Sequence, residues 1–522
     1  MNFDPAELPD DSEKLKELFV LSCTKYQEQI DYLEERIRLL QNEIFGRRTE
    51  KPFVNPLKQI PLFEASDIDV PTPDLSLENQ ITIPEHTRKK RGRKPLPEDL
   101  PRIEVIHDIP EEEKHCACGA ELSCIGQDES EKLDYIPAKI QVIRYIRLKY
   151  ACKSCEGVED DGPTVKIAPV PVQLIPKSIA TEGLLAHLIV SKFADALPLY
   201  RQQKIFSRMG IELSRSTMAN WVVKASQYCK PLIDLLSEEI RSGPVTNIDE
   251  SPLQVLKEPN RHNTTKSYMW IFKGGLPDHP ALVYQYHPTR NGDVAARFLG
   301  DYEGYVQSDA FSGYEQLSRK KGIRHVGCWV HARRNFVDVL KAKKKNRSQR
   351  IQPKSLADEA LEYIGRLYQI EKEGKGLPSE EIYQLRQEKS KPVLDAFKIW
   401  LDEKKQITPP KGLLGKAIQY TLNNWDKLIV YIEDGRLKPD NNDAENAIRP
   451  FVLGRKNWLF AGHPNGAEAG ATFFSLVETA KANGLEPYRY LRYIFEKIPL
   501  AQTEQDYKNL LPQYIDKTAL SG

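Results

Sequence analysis

Asp249, Asp309 and Glu445 are the residues whose setting could do chemistry. Singly each has an ordinary explanation: an Asp at a strand end is usually a turn residue, and a Glu in the first turn of a helix is favoured by the helix dipole. Their settings together point further. Asp249 falls in the extended run VTNIDESPLQVLK, Asp309 lies near the end of the extended run GYVQSDAF, and Glu445 lies just inside a helix opened by the Asp/Asn-rich stretch KPDNNDAENAIRP. Three carboxylates held together repel one another and raise one another's pKa values unless divalent cations sit between them. Two such cations about 4 Å apart, Mg2+ or Mn2+, activate the attacking oxygen and stabilise the leaving oxygen of an in-line phosphodiester displacement. Glu250 and Asp443 neighbour the candidates and are expected to point elsewhere, since adjacent strand residues alternate faces. Glu478, in SLVETAKANG, competes for the third place, although its apolar helical surroundings equally suit a buried structural Glu.

The elements around these acids must bring them together. VTNIDESPLQVLK, SYMWIFKGG and ALVYQYHP read as three strands joined by turns containing Pro259, Asn260 and Gly275. A helix (GDVAARFLGDY), a strand (GYVQSDAF), a helix (GYEQLSRKK), a strand (IRHVGCWV) and a helix (HARRNFVDVLKAKKK) follow. The order β-β-β-α-β-α-β-α is that of a ribonuclease-H-like domain, a mixed sheet flanked by helices. In that topology the first and fourth strands are neighbours, so Asp249 and Asp309 meet at one edge of the sheet. A helical stretch rich in Glu, Lys and Leu, residues 355 to 433, separates them from Glu445.

Upstream, Cys116, Cys118, Cys152 and Cys155 lie on two tight turns separated by alternating β-branched and aromatic residues, the pattern of a zinc ribbon holding one structural Zn2+. Cys152 and Cys155 have the usual knuckle spacing; Cys116 and Cys118 are one residue closer, and His115 is an alternative to Cys116. Residues 178 to 227 read as helical, and LYRQQKIFSRMGIELSRSTMANWVVKAS has helix-turn-helix grammar, with Ser214 or Ser216 as N-cap. Arg215, Ser216, Thr217 and Asn220 would face phosphates or base edges, and a structural helical hairpin is the other reading. KKRGRKP, with Arg91, Arg93 and Lys94, suits either an A·T-rich minor groove or a basic linker. Residues 12 to 45 carry Leu15, Leu18, Phe19, Ile30, Leu33, Ile37, Leu40 and Ile44 at helical spacing with partial heptad character, giving a dimerising coiled coil or a packed amphipathic helix.

Length and composition set the frame. At 522 residues the chain predicts three or four units. With 29% charged and 40% apolar residues it has no apolar run of membrane-spanning length, and its acidic start lacks a secretory h-region, so a cytoplasmic protein with no membrane partner is expected. A net charge of +1 advertises no nucleic-acid partner globally. Local basic clusters do, among them HARRNF and RPFVLGRK. Arg449, Arg455 and Lys456 would hold phosphates near the metals, with His331, Arg333 and Arg334 in a similar role. Eight cysteines, half of them in close pairs, fit metal ligation better than disulfides.

EIFGRRTEK, GRKPLPEDLPR, IGQDESEKLDYIPAKIQVIRYIRLKYACKSC, NIDESPLQVL, GCWVHARRNF and NNDAENAIRPFVLGRKNWLFAG, in this order, resemble the blocks of the insertion sequence 66 family of DDE transposases over nearly the whole chain. The resemblance implies a multidomain α+β protein: an N-terminal helix or coiled coil (1–48), a linker with the basic segment (49–102), a zinc-finger-like domain (103–172) and a helix-turn-helix-like DNA-binding region (173–240). A ribonuclease-H-like core (241–345), a helical insertion (346–436), the core end carrying Glu445 (437–482) and a C-terminal segment (483–522) would follow. It further implies that Asp249, Asp309 and Glu445 are the metal-binding acids, that element ends and target DNA are the substrates, and that two small companion proteins are encoded alongside. The expected reaction is hydrolysis of one strand at each element end followed by attack of the freed 3′-hydroxyl on target DNA, by a homo-oligomer. The competing class is a zinc-dependent DNA-binding regulator whose acids are inert.

Overall fold

The structure, a computed structural model, describes residues 12–45, 140–151, 165–167, 169–309, 311–342 and 354–520. The chain forms two units, residues 59–170 and residues 1–58 with 171–522. In the smaller unit β1 (Lys149–Ala151) and β2 (Val165–Ile167) pair antiparallel, Lys149 opposite Ile167. Of the alternating run IQVIRYIRLKYA between the cysteine pairs, only the last three residues form a strand. Residues 140–148 are irregular and exposed, with Val142 94% accessible, because no partner strand lies beside them among the described residues.

The larger unit begins with α1 (Ser12–Phe45), followed by α2 (Glu182–Phe193), α3 (Leu199–Arg208), α4 (Arg215–Tyr228) and α5 (Lys230–Ser242). The α3–α4 turn follows its sequence chemistry. Gly210 takes φ 77°, and the Ser214 hydroxyl accepts the Thr217 N–H at 3.1 Å, which fixes Ser214 as the N-cap. Met218, Trp221, Val222 and Ala225 bury the inner face of α4, leaving Arg215, Ser216 and Asn220 exposed.

A five-stranded sheet follows, with β3 (Val245–Gln254), β4 (Lys266–Leu276) and β5 (His279–His287) antiparallel. After α6 (Asp293–Leu299), β6 (Gly304–Gln307) adds parallel to β3; after α7 (Glu315–Ser318), β7 (Ile323–Val326) adds parallel to β6. The order β5-β4-β3-β6-β7 makes β3 and β6 neighbours, as the element order predicts. Trp270, Ile271 and Phe272 of β4 and Ala281 to Tyr284 of β5 are buried in unbroken runs, the signature of strands covered on both faces. Gly275, expected in the turn, sits inside β4 at φ 91° opposite Pro280, and the turn is Pro277 and Asp278. Its backbone lies so close to Gly243 that a side chain at 243 would overlap it.

The remaining elements are α8 (Trp329–Ala342), α9 (Leu356–Glu373), α10 (Ser379–Leu385), α11 (Lys391–Ile407), α12 (Leu413–Asn423), α13 (Trp425–Leu428), α14 (Asn442–Trp458), α15 (Pro464–Ala482), α16 (Pro487–Lys497) and α17 (Glu504–Lys508). Helices α8, α9 and α11 to α13, with β7, share a second core around Trp329, Phe397, Leu401 and Tyr431. Each such buried side chain contributes about 1.5–3 kcal/mol of burial. Buried Arg386, in a π-turn, has all its N–H groups engaged: two bonds to the Glu371 carboxylate (2.9 and 2.7 Å) and one each to the carbonyls of Tyr431, Asp434 and Leu437. It thereby ties the helical insertion to the segment entering α14. At the open edge of the sheet, Tyr284 N–H of β5 donates to Ser475 Oγ of α15 (2.8 Å), and Thr479 Oγ exchanges bonds with Leu282 N–H and C=O (both 3.0 Å). Two hydroxyls one helical turn apart thus satisfy an edge strand that would otherwise recruit another chain.

Candidate active site

Asp249 lies in β3 opposite Ile271, Asp309 two residues beyond β6, and Glu445 in the first turn of α14. One cavity is lined by all three, together with His331 and Arg334 of α8, Asn441, and Ile448 and Arg449 of α14. Amide side chains hold these elements in register. Asn247 Nδ2 donates to Gln307 Oε1 (3.1 Å) and to Asn441 Oδ1 (3.2 Å), Asn441 Nδ2 donates to Ile248 O (2.9 Å), and Gln307 Nε2 donates to Lys438 O (2.7 Å). Asn247 stands two residues before Asp249 in β3, hence on the same strand face, and Gln307, the last residue of β6, stands two before Asp309. Asn441 stands four before Glu445, one helical turn. Asn441 occupies the expected cap position of α14, but its side chain serves β3 rather than the helix; Asp440 Oδ1 accepts the Asn442 N–H instead, at 3.2 Å.

Cys328 completes the frame. Its buried Sγ accepts the Asn441 N–H at 3.3 Å, and the Trp329 N–H donates to Pro439 O at 2.9 Å, so the starts of α8 and α14 are fastened together. Burial pushes the Cys328 thiol up to about 11, against the pull of the N–H groups of Asn441, His331 and Val330. Both helix starts lie beside the cavity, where their dipoles favour anions.

Burial raises the Asp249 carboxyl to about 8, and the charges of Glu250, Asp309 and Glu445 add to the rise, while the Glu250 N–H donated to Oδ1 at 2.8 Å opposes it. Asp309 Oδ1 accepts the Phe311 N–H at 3.0 Å. Glu250 faces away from the cavity, bonded to Arg290 and the Tyr314 hydroxyl; Arg290 also approaches Asp309 at 3.9 Å and stacks 3.7 Å over Phe311. Asp443 likewise faces away, on Lys438 and Lys273. His331 Nδ1 stands 4.0 Å from Glu445 Oε1, and both atoms are buried without a hydrogen-bond partner. Such atoms cost about 1–3 kcal/mol each unless something outside the chain satisfies them. Three carboxylates lining one cavity, one of them driven toward its neutral form, together with an orphaned carboxylate oxygen and imidazole nitrogen, offer donors of the kind that divalent cations take.

Other expected residues stand elsewhere. Glu478 lies in the edge-covering helix α15, paired with Lys481 at 2.9 Å and apart from the cavity lining. Arg455, expected to hold phosphates, bonds through its guanidinium to Ser251 Oγ (3.1 Å) and the Pro252 carbonyl of β3, because α14 crosses that strand there. Lys456 is exposed and Arg333 half-buried, and neither lines the cavity. Arg91, Arg93, Lys94, His115, Cys116, Cys118, Cys152 and Cys155 lie outside the described residues. The sequence reading missed the amides and Cys328, although an amide two residues ahead of each Asp, in NID and QSD, is a visible repeat.

Comparison with known proteins matches residues 177–469 to a family described as "Transposase IS66 family". Residues 113–156 match "zinc-finger binding domain of transposase IS66", residues 475–513 "IS66 C-terminal element", and residues 32–105 "Transposase C of IS166 homeodomain". Similar curated proteins occur in Sinorhizobium fredii. The uncharacterized protein y4jD is 37% identical over 80% of this chain and 81% of its own length, and y4qI is 32% identical over 93% and 89%. A third, y4hP, is 30% identical over 89% and 85%.

Proposed function

The chain belongs to the IS66 family of transposases, and from that premise we propose that it cuts and rejoins DNA for a bacterial insertion element with Asp249, Asp309 and Glu445 as its metal-binding acids. The observation that carries this reading is the meeting of three acids, from stretches up to 196 residues apart, in one cavity lined also by Arg334 and Arg449. Adjacent β3 and β6 support a ribonuclease-H-like core formed by residues 241–345 and 437–482, with 346–436 as a helical insertion.

Divalent cations bound there, two Mg2+ or Mn2+, would supply Lewis-acid activation of the attacking oxygen and stabilisation of the leaving one. The three carboxylates hold and orient that charge. Exposed Arg334 and Arg449, with the N-termini of α8 and α14, grip the phosphates of the strand to be cut. Water cleaves one phosphodiester at each element end and leaves a 3′-hydroxyl, whose oxygen then displaces a 3′-oxygen from a target phosphodiester. The exchange needs no nucleoside triphosphate. Arg91, Arg93 and Lys94, the exposed start of α4 with Arg215, and the zinc-finger region with one structural Zn2+ bind DNA. No helix among the described residues is long and apolar enough to cross a membrane. The working form is a homo-oligomer that pairs two element ends, and companion proteins of the same element are further partners.

The test is cleavage of a labelled element-end duplex in Mg2+. Asp249→Asn, Asp309→Asn and Glu445→Gln each lower the rate roughly a thousandfold or more, while DNA affinity, carried by basic contacts, stays within a few fold. Retained cleavage in Glu445→Gln with loss in Glu478→Gln would transfer the third role to position 478.

A further inference from the structure

Among the described residues the ligand atoms of Cys328, His331 and Glu445 lie within 4.8 Å of one another, a group that includes Glu445 but neither Asp249 nor Asp309. Its members differ in what they have left to offer. The Cys328 sulfur is buried and already accepts the Asn441 N–H. His331 Nδ1 has no partner, and the same holds for Glu445 Oε1, although both atoms are buried. Their separation of 4.0 Å is too wide for a hydrogen bond. It lies within the roughly 4 Å that two bonds of about 2.0–2.2 Å to one ion can span.

Both side chains project from the opening turns of helices whose starts are fastened together, so their spacing is set by the frame rather than by a flexible loop. Arg334, three residues or about one helical turn beyond His331, also lines the cavity, so α8 presents a nitrogen donor and a cation to the same space. A phosphate contact would suit the arginine; the orphaned nitrogen facing an orphaned carboxylate oxygen suits a cation.

We propose that His331 is a ligand of the cation held by Glu445, giving that position a mixed nitrogen and oxygen donor set that favours Mn2+ over Mg2+. The inference rests on the carboxylate site proposed above and adds a fourth protein ligand to it. Magnesium is a hard ion that prefers oxygen donors, whereas imidazole suits the transition cations. Of the two cation positions, the one beside α14 is therefore the selective one, and the position between Asp249 and Asp309 has oxygen donors only.

The experiment uses the full-length protein and Mn2+ itself, read by pulsed electron paramagnetic resonance for 14N coupling and by titration for affinity. Wild type should show a nitrogen coupling that His331→Gln removes, with affinity at that position falling about tenfold and Mg2+ competing more effectively in the variant. Asp249→Asn should weaken Mn2+ binding while the nitrogen coupling of the ion that remains persists. Wild-type protein that binds Mn2+ without nitrogen coupling, or a coupling unchanged in His331→Gln, overturns the inference and leaves the carboxylate site standing. Failure of wild type to bind Mn2+ at all overturns both. Because the wild-type spectrum is itself decisive, the result does not depend on the folding of a variant; the thermal midpoint of His331→Gln in chelator, expected within a few degrees of wild type, establishes that its loss of coupling is local.

Discussion

At Asp249 the folded chain holds a carboxyl whose environment opposes its ionisation, and this has a measurable consequence without any metal. Burial, then the neighbouring carboxylates, raise its pKa from the ordinary carboxylate range to about 8. The folded state therefore retains a proton that the unfolded chain releases. The stabilisation is fully present below about pH 4 and is lost as pH rises from there through about 8. Asp249→Asn cannot ionise, and its carbonyl oxygen can still accept the Glu250 N–H. In chelator the variant should match wild type near pH 4 and exceed it by a few kcal/mol at pH 8, a gain of several degrees in Tm. Saturating Mg2+ should raise the wild-type midpoint at pH 8 more than the variant's, since the cation binds the ionised cluster. Scanning calorimetry at both pH values decides the matter; a variant less stable than wild type at pH 8 in chelator would show that Asp249 is not held against its charge.

The elements reach their places through polar ties that leave no periodic trace in sequence. Asn441 is 1% exposed and bonds residues nearly two hundred positions upstream, so Asn441→Ala leaves the Asn247 amide short of a partner and Ile248 O without this donor. The cost should be about 2–4 kcal/mol, and because Glu445 rides on the same helix, Mn2+ affinity should fall as well; denaturant unfolding and Mn2+ titration measure the two effects. A variant as stable as wild type would mean that apolar packing of α14 alone sets its position. Strand order, the capped hairpin and the placing of three acids on β3, after β6 and on α14 were legible because alternation, N-cap chemistry and helix onset are local. The amide network, the sulfur of Cys328, the Arg386 tie and the edge-covering hydroxyls of α15 were not, because each joins residues with no fixed spacing. Residues 113–156 match a zinc-finger model, and zinc ligands are local again: paired cysteines announce the ion by spacing. The purified chain should carry about one Zn2+, lost when Cys152 and Cys155 are both replaced by Ser. Elemental analysis finding less than about a tenth of an equivalent in chelator-free protein would remove zinc from the account.

At the scale of the whole molecule, α1 offers one face to its own chain and another to something else. Arg38 Nε donates to the Ala342 carbonyl (3.0 Å), Glu35 accepts the Leu413 N–H (3.1 Å), Lys416 lies 3.7 Å from the Tyr32 ring centre, and Leu39 is 2% exposed. The packed helix and the coiled coil expected from sequence are thus not exclusive. Phe19, Cys23, Tyr26, Ile30, Leu33, Ile37 and Leu40 alternate at spacings of four and three residues and are all exposed, the apolar ones between 42% and 69%. Seven positions at that spacing match the seam of a two-stranded coiled coil, and we propose a second copy of α1 as its partner. A second copy also suits the pairing of two element ends proposed above. Deleting the helix would confuse the two faces by uncovering the groove that Leu39 fills. Leu33→Glu with Ile37→Glu does not, because both side chains are exposed on the single chain, and the Tm of the larger unit should stay within a degree or two. The substituted protein should remain monomeric where wild type dimerises in light scattering, and should pair two end-DNAs poorly while binding one normally. In a parallel, in-register pair Cys23 meets its counterpart within the roughly 4.4–6.8 Å between Cα atoms that a disulfide spans. Mild oxidation should therefore give a covalent dimer that Cys23→Ser abolishes. A wild-type protein that stays monomeric with two end-DNAs present, gives no Cys23-dependent dimer and still joins the ends would rule out this helix as the means of pairing.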